Sequence, residues 1–167
     1  MTDNIRLIGQ MTGDKLDHMR RWAFEVMTRE PDQMLEDGDK GIYLKRWYAV
    51  PQNPAGGVYV HEIIRDDKDV MHDHPWDHTS IIVAGIYIEE TPDGRKYWRT
   101  GEMIHRPAAR PHRLLLPPRG RSCVSVVFTG FRFREWGFHC PGGWINWRDF
   151  CDPQDEGKVA RGCGDLG

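Results

Sequence analysis

The run Met71-His72-Asp73-His74-Pro75-Trp76-Asp77-His78 carries three histidines within seven residues, and a fourth follows in Pro111-His112-Arg113. Imidazole is the commonest protein ligand for zinc, iron, copper and nickel. Two histidines separated by one residue on a strand project to the same face, because side chains repeat every two residues. One strand end can therefore supply two ligands. A single histidine is ordinarily a surface or packing residue; three at this spacing, followed by an apolar strand, read as a metal site. Pro75 cannot donate a ladder hydrogen bond and biases His74 towards extended geometry. His74 is thus expected to end its strand, Trp76-Asp77 to form a bend, and His78 to open the next strand, so that ligands from two strands converge.

Outward from this run, residues 14–27 place Leu16, Met19, Ala23, Phe24 and Met27 at three-to-four spacing, with Asp14 as a cap and Pro31 beyond the end. That is one amphipathic helix whose stripe packs on the rest of the protein. From Gly41 the pattern changes to short strand-like runs at 42–50, 58–64, 79–89, 96–100, 112–116 and 122–129. Turn chemistry separates them, as in Thr91-Pro92-Asp93-Gly94 and Pro117-Pro118-Arg119-Gly120. Many short strands with such punctuation indicate an all-β sandwich or barrel.

The histidine motifs resemble those of the cupin superfamily. Its first motif, Gly-x5-His-x-His-x3-4-Glu-x6-Gly, is reproduced from its first His onward by His72, His74, His78 and Gly85, with His78 standing where Glu is usual and Asp66 in place of the opening Gly. Its second motif, Gly-x5-Pro-x-Gly-x2-His-x3-Asn, is matched by Gly101, Pro107 and His112, with Ala109 replacing the second Gly and Leu116 the Asn. The resemblance implies a jelly-roll β-barrel with an added N-terminal α-helix, in one domain: a helical segment over 1–40, the barrel over 41–140, and a C-terminal segment over 141–167 packed on it. It implies His72, His74 and His112 as metal ligands and His78 as a fourth. The cofactor implied is a divalent metal ion, with Fe(II) favoured and zinc, nickel, copper or manganese as alternatives. Asp73 and Asp77 are candidate acceptors for the free ring nitrogens, or turn-favouring surface residues. Trp76 is expected at the cavity rim, with core packing as its alternative, and Tyr87 and Trp98 are expected to line the cavity.

The C-terminal third holds a second unusual stretch, from Phe131 to Trp144, which resembles small bacterial and phage-encoded cupin-like proteins. Arg132 and Arg134 alternate with Phe131 and Phe133, so in a strand both guanidinium groups share a face. Facing inward they hold a substrate carboxylate or phosphate; facing outward they form a solvated basic surface. Cys140 and Cys163 flank Gly-rich sequence that is expected to fold over the barrel mouth and bring a thiol near the metal. The spacing of His139, Cys140, Cys151 and Cys163 lacks the close pairs of a structural zinc site.

With 167 residues, 39% hydrophobic and 29% charged, the chain is an ordinary single-domain globular length and composition. The net charge of -2, with no long run of one sign, argues against a general nucleic-acid or anionic-membrane surface. The start lacks a signal pattern and no apolar stretch reaches a membrane span. The expected compartment is the cytoplasm, where four cysteines are reduced rather than paired. The implied partner is a small-molecule substrate or ligand, and pairing through sheet edges, common among cupins, implies a homodimer. The function implied is a mononuclear non-haem iron dioxygenase. The alternatives are a non-catalytic metal- or ligand-binding module, and an isomerase or epimerase with a His base and Tyr87 or Tyr97 as acid.

Overall fold

The computed structural model describes residues 4–119 and 121–164, so readings that rest on the first three residues or on Gly120 lie outside the described residues. The elements are β1 (Arg6–Gln10), α1 (Gly13–Val26), β2 (Gln33–Glu36), β3 (Ile42–Asn53), β4 (Gly56–Ile63), β5 (Met71–His72), β6 (His78–Ala84), β7 (Ile86–Thr91), β8 (Gly94–Arg99), β9 (Glu102–Arg106), β10 (Arg113–Leu115), β11 (Cys123–Thr129), β12 (Gly137–Cys140), β13 (Gly143–Asn146), α2 (Trp147–Phe150), β14 (Cys151–Asp152) and β15 (Asp155–Val159). A seven-stranded sheet, ordered β1-β9-β6-β11-β4-β3-β2, faces a three-stranded sheet, β10-β7-β8. The structure is the expected jelly roll, built as a sandwich of these two sheets.

The reason lies at Gly85, where the expected 79–89 strand is cut in two. Gly85 adopts φ +85°, a conformation that residues with a Cβ rarely take, and the chain leaves the large sheet as β6 and enters the small one as β7. Between the sheets, Tyr87 and Trp98 of the small sheet pack on Leu44, Ile63, Ile82 and Ile104 of the large one. The outer face of the large sheet is covered by α1, which packs Met19, Trp22, Ala23, Val26 and Met27 against Trp47, Val60, Ile81, Val83, Val124 and Val126. Phe24 departs from the expected stripe: it is exposed, and Trp22 takes the packing position. Because the large sheet is covered on both faces, β11 reads as a nearly continuous apolar run.

The C-terminal chain returns to the site region. Strands β13 and β12 form a hairpin that extends the short β5, with Phe138 opposite His72 and His139 opposite Met71. Phe138, Phe150, Cys140 and Cys151 close a small separate core beneath it. The expectation of four reduced cysteines is corrected here: Cys140 and Cys163 form a disulfide, with Cα atoms 5.6 Å apart, while Cys123 and Cys151 are free and buried. The pairing follows from the chain folding back through α2, β14 and β15, which residue spacing does not encode. No helix among the described residues is long and apolar enough to cross a membrane.

A Cβ at position 85 would lie 2.9 Å from the Ser122 carbonyl oxygen and 3.1 Å from Cys123 Cα, both backbone atoms, on top of the left-handed φ. Gly85→Ala is therefore expected to destabilise the protein by about 2–4 kcal/mol. Chemical denaturation should show a lowered midpoint; an unchanged midpoint would mean that the crossover between sheets tolerates a side chain.

Candidate metal centre

The two histidine motifs meet through the backbone. His72 and His112 form an antiparallel bridge in which each amide donates to the other's carbonyl, at 2.9 and 3.0 Å, and the His74 amide donates to the Ala108 carbonyl at 2.9 Å. Two segments distant in sequence are thereby zipped side by side at the inner end of the sandwich. One ring nitrogen each from His72, His74 and His112 then lies within 4.8 Å of the others, a group that could hold a metal ion. His74 Nε2 and His112 Nε2 stand 2.8 Å apart.

The Nδ1 atoms of two of these rings are turned away and held by buried carboxylates. His72 Nδ1 is 3.3 Å from Asp67 Oδ2, and His112 Nδ1 bonds Glu89 Oε1. A carboxylate that accepts from Nδ1–H fixes the tautomer with a free lone pair on Nε2, so the inward nitrogens are prepared as ligands. His72 and His74 are held well below the usual histidine range, first by burial and then by neighbouring imidazoles, so both are neutral near pH 7. Neutral nitrogen with an outward lone pair is the donor state that zinc, iron, nickel and copper require. The residues present fit a divalent ion.

Several expected roles fall elsewhere. Asp73 and Asp77 do not hold the ligand rings. Asp73, 1% exposed, accepts from the Gly137 amide, Trp144 Nε1 and His139 Nε2 and pairs with Arg134, which ties the C-terminal hairpin to the histidine strand. Asp77 accepts from the Ala108 amide, which closes the bend after Pro75. The carboxylates that do reach the rings, Asp67 and Glu89, went unassigned in the sequence. Glu89 carries no distinguishing signal, since Glu90 and Thr91 follow it in the same strand. His78 borders the group, its ring centroid 4.5 Å from that of His74, but it does not belong to the three, and its buried Nδ1 has no partner.

Arg132 and Arg134 do not share a strand face, because residues 131–134 form no strand. Arg134 turns inward and donates to the His74 carbonyl at 2.9 Å, a positioning contact, whereas Arg132 stands at a cavity mouth, half exposed. Cys140 and Cys163 bring no thiol to the metal, since their sulfurs are bonded to each other. Of the two free thiols, Cys123 is pushed up to about 12 and Cys151 to about 11 by burial, so neither is reactive near neutrality. Trp98 lies in the core and donates to Glu89 Oε2 at 2.6 Å instead of lining the cavity, and Tyr97 is exposed.

A cavity of about 340 Å³ opens onto His72 and His74. Trp76 forms part of its wall, stacked on His74 with ring centroids 5.0 Å apart, and meets Tyr59 edge-on. The returning C-terminal chain supplies Trp136, Phe138 and Glu156 to the same wall. Behind the histidines Glu89 and Arg106 form an ion pair at 2.6 Å that is almost completely buried. Arg106 also donates to Ser80 Oγ at 2.9 Å and to the Tyr87 hydroxyl. Arg106 and the His112 contact outweigh desolvation and hold the Glu89 carboxyl well below the carboxylate range.

No protein-family model and no curated protein sequence matches the chain. Solved structures do. The EutQ protein of Clostridium difficile aligns over 64% of this chain and 84% of its own, at 12% identity and a TM-score of 0.52. The chain has the cupin fold. Other structural neighbours are the polyketide cyclase RemF from Streptomyces resistomycificus, at 18% identity and TM-score 0.47, covering 53% of this chain, and the Cupin_2 domain of an XRE family transcriptional regulator from Enterobacter cloacae, at 6% identity and TM-score 0.46, covering 55% of this chain and 99% of that domain. The chain spans 65% of the cyclase, just under two thirds of its length. At these identities the likeness concerns the cupin fold alone.

Two outcomes are expected at this centre. Glu89→Gln removes the charge that orients His112 and neutralises Arg106, so metal affinity should fall about 10–100-fold and stability by about 3–5 kcal/mol. Asp77→Asn should leave affinity unchanged in the same chelator competition; equal losses in the two would contradict the assignment. Acid should also destabilise the metal-free protein. Burial depresses His61, His72, His74 and His78 in the folded state, so unfolding takes up protons. Their contribution is complete above about pH 6.5 and is lost as pH falls, with Glu89 adding a further loss below about pH 4.5. The melting temperature of metal-free protein should drop between about pH 7 and pH 5; a flat profile would mean these imidazoles are not buried neutral.

Proposed function

We propose that the protein is a metal-dependent oxygenase, with Fe(II) held by His72, His74 and His112 and a small organic substrate in the adjoining cavity. The observation that carries this reading is that His72, His74 and His112 bring one ring nitrogen each within 4.8 Å of the others, and that the cavity opens on two of them. Structural metal sites are usually closed by four protein ligands, whereas a site with three keeps positions for exogenous molecules. The motif resemblance to cupin dioxygenases favours iron within the set that imidazole accepts. When bound, iron supplies the electronic coupling between an organic molecule and dioxygen that side chains lack.

The protein's own contribution is orientation and exclusion of water. Asp67 and Glu89 set the rings of His72 and His112. Trp76, by stacking on His74, holds that ring in place and presents an apolar wall. Tyr59, Trp136 and Phe138 continue the wall and keep the inner cavity poor in water, which strengthens every polar contact inside it.

Metal analysis of protein purified without chelators or metal-affinity resin tests the reading. Wild type is expected to carry stoichiometric metal, and His72→Ala, His74→Ala and His112→Ala each to lose it. The iron-loaded protein should consume oxygen with members of a small-molecule panel, and the zinc-loaded protein should not. Full metal content in the His74 and His112 variants would overturn the site. Stoichiometric iron without oxygen consumption across the panel would leave a metal-binding module in place of an enzyme.

A further inference from the structure

The cavity wall beyond the histidines contains charge that the metal chemistry does not use. Lys68 is 3% exposed, and its ammonium donates to the Tyr43 hydroxyl at 3.0 Å and rests 4.4 Å from the Tyr43 ring centroid and 5.9 Å from that of Phe138. Arg46 donates through Nε to His61 Nε2 at 2.9 Å and through a terminal nitrogen to Gln33 Oε1 at 2.8 Å, with its guanidinium 5.5 Å from the Tyr59 ring centroid. Both line the cavity. Among the described residues neither has a carboxylate within 4.0 Å.

Buried cations are normally paired, as Arg106 is by Glu89; Lys68 is buried with Asp67 as its neighbouring carboxylate, beyond hydrogen-bond reach of the ammonium, and Arg46 is partly buried. An ammonium has three donors and a guanidinium five, so Lys68 and Arg46 each keep donors that no protein acceptor takes. Arg132 adds a third cation at the mouth, 3.6 Å from the Glu135 carboxylate, and the wall itself carries one carboxylate, Glu156, which accepts from Gln33. Lys68 and Arg46 line the same cavity as His72 and His74, so an anion held there lies on the open side of the metal nitrogens. The remaining wall is aromatic, built from Tyr48, Tyr59, Trp76, Trp136 and Phe138, and the volume is that of a small-molecule site.

From these observations we infer that the cavity binds a small organic carboxylate with an aromatic body. Lys68 and Arg46 take its carboxylate by charge-assisted hydrogen bonds, and its apolar body packs among the aromatic side chains of the wall. The anion site stands on the two cations without reference to a metal; that the bound carboxylate is also the substrate rests on the proposed metal-dependent reaction. Each bond formed uses a donor that no protein acceptor takes.

The test titrates wild-type protein, metal-free and zinc-loaded, with benzoate and phenylacetate and with their uncharged amides, benzamide and phenylacetamide. Calorimetry and tryptophan fluorescence report binding, since Trp76 and Trp136 are in the wall. The carboxylates are expected to bind at least about tenfold tighter than the amides in both forms, and Lys68→Met and Arg46→Met each to weaken them about tenfold. Equal affinity of acid and amide, no carboxylate binding, or carboxylate binding only when zinc is present would overturn the inference, as would variants that bind as wild type. Should either variant fail to fold, the acid-to-amide ratio and the metal-free titration on wild type still decide. Tight carboxylate binding by a protein that takes up no metal would uphold the anion site and sink the oxygenase reading instead.

Discussion

Glu89 has almost no contact with water, and it remains ionised because Arg106 reaches it from the opposite sheet of the sandwich while His112 and Trp98 occupy its other lone pairs. The carboxylate belongs to β7 in the small sheet and the guanidinium to β9 in the large one. This contact thus spans the core at the level of the histidines. A buried pair of this kind adds little net stability compared with apolar packing, but loss of one partner strands a charge in a medium that cannot solvate it. Its effect is to fix geometry: sheet separation, ring orientation and tautomer at His112 all follow from where one carboxylate can satisfy its partners.

The other side of the centre is set by the edge of β5. A strand of two residues has little hold of its own, and it is kept in place by neighbours on both sides, His112 through a backbone bridge and Phe138 through β12. Asp73 and Arg134 tighten this arrangement, the first by gathering donors from the C-terminal hairpin and the second by bonding the His74 carbonyl. The disulfide between Cys140 and Cys163 closes the same C-terminal unit onto itself. The segment that looked like an appendage in sequence therefore supports a ligand-bearing strand and forms one wall of the cavity.

Charge is distributed unevenly around the centre. Behind the histidines Glu89 neutralises Arg106, and Asp67, beside His72, has Lys68 as its neighbouring cation. In front, Lys68 and Arg46 line the cavity with no carboxylate within 4.0 Å among the described residues. The neutral rings of His72 and His74 can donate to an ion without adding negative charge, and the cavity in front of them carries Lys68, Arg46 and Arg132 against Glu156.

The amino-acid sequence alone carried the short strands, the amphipathic helix, the two histidine motifs and the bend at Pro75, because these depend on local periodicity and backbone restriction, which act over a few residues. It also placed His72, His74 and His112 together as candidates, since two motifs in fixed order and separation constrain one another. The sequence was silent on Asp67, Glu89, Lys68 and Arg46, which carry no spacing signal and acquire their roles only through burial and the partners opposite them. It misplaced Asp73, Asp77 and Arg134 because hydrogen-bond direction depends on which chain segment lies alongside. It missed the disulfide because a return of 23 residues through several turns fixes no end-to-end geometry. Local pattern determines which side chains can do chemistry; the packing of distant strands decides which of them meet, because only there do desolvation and pairing set the energy of each charge.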